Sequence, residues 1–242
     1  MTLASKSVDG KSNEIPAVQE MLQQMDIAGC LVVADALNCQ RETAKVIVCG
    51  KGDYLLSVKE NQPSLMQDIR DYVQDDALRG SMSAQSIREK SRERIEKRTA
   101  FVTQDIDWLP QKSQWARLAC IGAIHTEFQT KAGKSSQWHY YISSRSLSAE
   151  GLLHHARMEW AVESMHWLLD VHFEEDYLRV ANKTIQENMN LLRKFALGMI
   201  KQYKSRTASK RPLSKLMFDC LLDPNMICLL YTSPSPRDRS VS

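Results

Sequence analysis

The sequence predicts an α/β fold, and three observations carry that prediction. "CLVVAD" (30–35) and "DYLLSVKEN" (53–61) are short, nearly uniform apolar runs, the pattern of strands buried in a covered, parallel sheet. A helical stretch, "QRETAKVIVCGKG" (40–52), lies between them, so the order is strand–helix–strand with a right-handed crossover. Strand-like patterns then cluster in one later segment, which helical stretches flank on both sides.

The elements follow in order. Residues 1–12 are polar and read as a loop. "NEIPAVQEMLQQMDI" (13–27) has Asn13 as its N-cap and Ile15, Val18, Met21, Leu22 and Met25 at helical spacing; Gly29 ends it. Gly50 and Gly52 close the helix over 40–52. "QPSLMQDIRDYVQDDAL" (62–78) is amphipathic, with Pro63 in its first turn. Residues 79–98 are charged and show little pattern at first. Strands are predicted over 94–106, 116–128 and 137–145, the last two separated by a turn in "KAGKSS". Helices return over 148–170, with Ser148 as cap, and over 184–204. The Ser-, Pro- and Arg-rich end, 229–242, lacks periodicity and reads as a disordered or foreign tail.

Composition bounds the function classes. The 242 residues are 43% hydrophobic and 25% charged, with a formal net charge of +3. This mild basicity permits nucleic-acid binding without demonstrating it. No apolar run reaches the roughly 20 residues of a membrane span, and the N-terminus has no apolar signal region, which predicts a cytoplasmic protein. The six cysteines form no C-x-x-C pair and sit mostly in apolar runs, as reduced core thiols do. His154, His155 and His166 match no zinc spacing.

Two carboxylates stand out. Asp35 ends the run "LVVAD", where a parallel strand stops and where ligands bind in open α/β sheets. It has two readings: cap of the next helix, or ligand of a cation. In "ARMEWAVESMHWLLDVHFEED" (156–176), Trp160, Trp167 and Val171 share a helix face with Leu153. Glu159, Glu163, His166 and Asp170 form an adjoining stripe. Glu163 borders the two tryptophans. A solvated helix flank and a carboxylate reaching into a cleft are both compatible with that spacing. Two separated carboxylates suit Mg²⁺, which takes one or two of them together with substrate phosphates.

"KSNEIPAVQEML", "VVADALNCQ", "GDYLLSVKENQ", "HYYISS" and "WAVESMHWLLDVHFEED" occur here in this order. Together they resemble the H-repeat-associated transposases, a bacterial insertion-sequence family of the DDE class, over about residues 11–223. The resemblance implies an RNase H-like core that uses Mg²⁺ (or Mn²⁺), held by an Asp, a second Asp and a Glu. Such enzymes nick transposon ends and join them to target DNA, commonly as homodimers. A β-rich insertion separates the second Asp from the Glu.

Residue by residue, Asp35 matches the second Asp and Glu163 the Glu. Lys59, Asn61 and Gln62 match a Lys-Gly-Asn-Gln motif, with Glu60 in the Gly position; they are candidate DNA contacts, with a strand-end turn as the alternative. Ser164 stands where the family commonly has Asn. Glu159 and Asp170 stand where related transposases carry basic residues, leaving Arg157 as a loose substitute. "SVDGKS" (7–12) imitates the motif of the first Asp, but no apolar strand precedes Asp9, so Asp9 is read as outside the site.

The expectation is therefore a partial RNase H-like core lacking its first strands (1–78), a β-rich insertion (79–147), core helices carrying Glu163 (148–223) and a tail (224–242). It would be an incomplete copy whose catalytic competence is open. A non-catalytic DNA-binding remnant and an RNase H-like nuclease are the alternative functions.

Overall fold

The computed structural model describes residues 14–90, 94–130, 133–173 and 182–226. Asn13, Asp9 and the 229–242 tail lie outside them. The chain divides into two compact units, one ending at Val162 and the other beginning at Glu163.

The first unit is built on one six-stranded mixed sheet. Helix α1 (Glu14–Gln24) leads to β1 (Leu31–Ala34), α2 (Arg41–Cys49) and β2 (Asp53–Val58). Strands β1 and β2 are parallel, with Leu31 opposite Asp53 and Ala34 opposite Leu56. The predicted strand–helix–strand unit is thus present, but parallel pairing stops there. The other edge of β2 takes β6 (Gly133–Ser143) antiparallel. Strand β1 is half-buried throughout, whereas β2 is buried from Tyr54 onward. Among the described residues β1 pairs only with β2, so it is an edge strand, which explains the lower burial.

Helices α3 (Pro63–Gln74) and α4 (Asp76–Ser81) replace the single helix predicted over 62–78. The break falls at Asp75, whose carboxylate accepts hydrogen bonds from Ala77 N (2.9 Å) and Leu78 N (3.0 Å) and so starts a new helix. Strands β3 (Ser83–Lys90), β4 (Arg94–Thr103) and β5 (Cys120–Thr130) follow, giving the sheet order β1-β2-β6-β5-β4-β3. The residues of the β-rich stretch thus continue the sheet that β1 and β2 begin.

Alternate residues on each strand serve opposite faces. Leu56, Ile121, Ala123, Tyr140 and Ile142 enter one core with Ile47, Leu65 and Ile69 from α2 and α3. Leu55, Cys120, Ile124 and Tyr141 enter the other, which Leu152 and Ala156 of α5 (Ala149–Phe173) close. Ser148 caps α5 as predicted, its hydroxyl accepting from Gly151 N at 3.0 Å. Leu152 presses so close to β5 that a Cβ on Gly122 would stand 2.6 Å from it.

Gly50 and Gly52 act by their size. The left-handed residue after α2 is Lys51 (φ 59). A Cβ on Gly50 would lie 2.9 Å from the buried Ile27 side chain, and one on Gly52 would lie 3.0 Å from the Ile27 carbonyl oxygen.

The cysteines also differ from expectation: Cys39 and Cys120 are buried, but Cys30 and Cys49 are exposed. In the second unit, α6 (Lys183–Thr207) and α7 (Leu213–Leu222) pack through Ile200 and Leu216. Among the described residues no helix is long and apolar enough to cross a membrane.

Candidate active site

Two aspartates bracket the parallel pair, and their surroundings differ. Asp53 begins β2. Its carboxylate accepts from Arg145 Nε (3.0 Å), Ser144 Oγ (3.0 Å) and Arg117 Nη2 (3.4 Å), so its charge is neutralised. Asp35 directly follows β1, at the carboxyl end of the parallel strands. It is exposed, and among the described residues it has no basic partner.

The helix-cap reading of Asp35 fails. Helix α2 starts after Gln40, which supplies no side-chain cap, and Asp35 lies too far upstream to reach its first amides. Instead Asp35 Oδ1 accepts from the backbone N–H of Asn38 (3.2 Å) and from its side-chain amide (3.0 Å). Oδ2 has no hydrogen-bond partner among the described residues. A carboxylate with one oxygen tied and the other facing water is an available hard ligand.

The loop behind it is held from below by the next strand. Asn61 Nδ2 donates to Ala36 O and to Cys39 O (3.5 Å), and Gln62 Nε2 donates to Cys39 O at 3.0 Å. Gln40 Nε2 donates to Leu37 O at 3.2 Å. The turns after β1 and β2 are therefore stitched together. The amide nitrogens of Asn61 and Gln62, singled out as DNA contacts, are engaged in that stitching. Lys59 is exposed and makes no ion pair among the described residues.

Two neighbours refine the chemistry. Burial, with the Asp35 charge adding to it, pushes the Cys39 thiol up to about 12, so it stays protonated and does not compete as a ligand. Asn38 is 8% exposed and its Oδ1 has no hydrogen-bond partner among the described residues. Sequence reasoning missed it; the signal was the Asp-x-x-Asn spacing in "DALN".

The second candidate carboxylate falls at the start of the other unit. Glu163 lies within α5, as the helical spacing requires, but the side chains of Glu159, Glu163 and His166 are outside the described set. Asp170 is exposed, as are Trp167 and Val171. Trp160 packs in the first unit against the Arg98 guanidinium (4.7 Å to the ring centre) and the His139 ring (5.8 Å). Arg157 is paired with Glu89 of β3, whose carboxyl it holds below the usual range. Among the described residues no cluster of three or more His, Cys, Asp or Glu forms a ready-made metal site.

With this geometry in place, comparison with known proteins decides the family. Residues 2–199 match the Transposase DDE domain. The chain belongs to the DDE transposase family. Among its relatives, "Putative transposase YncI" of Escherichia coli O157:H7 is 31% identical over 213 residues, 84% of this chain and 54% of that protein. "H repeat-associated putative transposase YhhI" of Escherichia coli (strain K12) is 30% identical over 227 residues, 90% and 60%. An "Uncharacterized protein in dhlA 3'region" of Xanthobacter autotrophicus is 33% identical over 146 residues, 60% and 50%. This DDE transposase chain thus spans only about half to three-fifths of the curated relatives it matches. The mixed six-stranded sheet with helices on both faces is consistent with the RNase H-like fold.

Proposed function

We propose that this chain carries part of a transposase catalytic core and acts on DNA phosphodiesters with a divalent metal. The observation that carries the reading is Asp35: a carboxylate at the carboxyl end of a parallel strand pair, with one oxygen fixed by Asn38 and, among the described residues, no basic partner and no hydrogen bond to the other oxygen.

The residues present fit Mg²⁺ or Mn²⁺. Asp35 offers the hard oxygen donor and Asn38 fixes its rotamer. Asn61 and Gln62 hold its loop rigid, which keeps the ligand in place before metal arrives. Such an ion, when bound, neutralises charge on the phosphodiester oxygens and lowers the pKa of a coordinated water. Glu163 joins this set by its motif. The third carboxylate would stand on a further strand, and the edge of β1 that takes no partner among the described residues is where that strand would pair.

Lys59 is the best-placed phosphate contact, being exposed at the same strand end with no ion pair among the described residues. Arg157 is a weaker one, because Glu89 already holds it. Asn61 and Gln62 support the site from behind.

Mg²⁺- or Mn²⁺-dependent nicking of transposon-end DNA tests the reading, with Asp35→Ala and Glu163→Ala as controls. The expected result is metal-dependent nicking that either substitution lowers by at least a hundredfold, on the order of 3 kcal/mol of transition-state stabilisation. Nicking that survives in both variants would sink the site assignment. Salt-dependent DNA binding with no nicking would instead favour a non-catalytic binding remnant.

A further inference from the structure

The sheet of the first unit has a second surface of chemical interest, away from Asp35. On β3 to β6, helices α2 and α3 cover the side bearing Ile121 and Ala123 only in part. Further along the same face the ladder sets Arg88, Lys97, Glu127 and Ser136 side by side, and next to them Ser86, Thr99, His125 and Trp138. Here the aromatic rings form a row. Trp138 stacks on His125 (centroids 4.3 Å, planes 16° apart), lies 5.9 Å from Phe101 and runs parallel to Tyr140 at 6.5 Å. Arg79 and Arg70 sit over Phe101 and Tyr140, each at 6.0 Å. Trp138 is half-buried, and no described residue takes up its indole N–H.

A groove of about 470 Å³ opens beside this row, lined among others by Arg88, Lys97, His125, Glu127 and Lys134. Its only carboxylate among the described residues, Glu127, is met by Lys97 at 3.0 Å and feels the charge of Lys134, and Arg88 and Lys134 are exposed with no ion pair among the described residues. On the opposite face of the same strands each arginine has a carboxylate partner. Arg98 pairs with Glu89 and Glu96, Arg94 pairs with Glu96, and Arg157 with Glu89. The larger net positive charge therefore lies on the face that carries the aromatic row.

We propose that this sheet face binds a single-stranded segment of DNA, its bases stacking on the Trp138–His125 row and its phosphates meeting Arg88, Lys97 and Lys134. Charge complementarity and stacking together select the occupant: a basic groove beside aromatic rings suits unpaired bases, whereas a duplex keeps its base faces stacked and out of reach. An acidic peptide would satisfy the cations and leave the rings unused. The proposal rests on the reading that this chain acts on DNA, but concerns a surface other than the carboxylate site.

Fluorescence anisotropy on the full chain tests it, with a labelled oligothymidylate of about 12 nucleotides. Competitors are a duplex of the same length and polyglutamate. The variants are Trp138→Ala, checked by its melting curve, and the double exposed substitution Arg88→Ala with Lys134→Ala, which touches no core residue. The single strand is expected to bind more tightly than either competitor and to quench tryptophan fluorescence. Trp138→Ala should weaken it about tenfold. The double variant should reduce the slope of log affinity against log salt by about 1.4, two phosphates at 0.7 each. Equal affinity for single strand and duplex, equal competition by polyglutamate, or a double variant with an unchanged salt slope would each overturn the proposal. In the first and third of these outcomes, retained duplex binding would leave the reading of the carboxylate site standing. Failure to bind either form of DNA would overturn both.

Discussion

At the scale of single residues, the question is why one strand-end aspartate is available and another is not. Asp53 is surrounded by Arg145, Arg117 and Ser144 and acts as a clamp between β2 and the end of β6. Among the described residues Asp35 has only Asn38, a neutral donor that fixes one oxygen without cancelling the charge. Outer partners of this kind orient metal ligands, and their loss typically weakens metal affinity by about 10- to 100-fold. Asn38→Ala is therefore expected to reduce divalent-metal affinity by about tenfold, with Asn38→Ser, which keeps a short donor, recovering part of it. Titration of Mn²⁺ by electron paramagnetic resonance reads this, and a melting curve separates it from loss of folding. Unchanged affinity in Asn38→Ala would show that the Asn38 contact only shapes the turn.

At the scale of elements, β3 shows how local polarity is overridden by pairing. Its residues, "SAQSIREK", are exposed at almost every position and carry no alternating apolar signal. The strand forms because an eight-residue ladder to β4 satisfies its backbone and because Glu89 links it to Arg98 and Arg157. Those arginines hold the Glu89 carboxyl below its ordinary 4.5. A lowered folded value means that the contribution is fully present above pH 4.5 and is lost as the pH falls through that lower value. Glu89→Gln should therefore melt below the parent protein at pH 7, and the gap should close under acid; a gap independent of pH would assign the effect to packing. This also explains what was legible. The strand pair around α2, the strands β4 to β6 and the cap at Ser148 were written in local patterns. Strand β3, the break at Asp75 and the sheet order depend on partners distant in sequence. In the site, Asp35 stood out by its position after an apolar run. The roles of Asn61 and Gln62 as braces could not be read, because their partners lie across a turn from a different strand.

At the scale of the whole molecule, the family is shown by most of the chain, whereas the one carboxylate with defined surroundings, Asp35, belongs to the first unit. The first unit supplies a rigid sheet, a strand-end carboxylate with a braced loop, and a separate basic and aromatic face. The family match spans residues 2–199, whereas the relatives are longer than this chain. The central claim is that Asp35 is a ligand for a divalent cation, which does not require the full reaction to proceed. Binding of Mn²⁺ to the intact chain tests it most directly, with Asp35→Asn as the comparison, since that change keeps the size and the turn while removing the charge. The account predicts a site that Asp35→Asn weakens by more than tenfold, over 1.4 kcal/mol, with the melting temperature in the absence of metal little changed. Mn²⁺ affinity identical in the two proteins would contradict it.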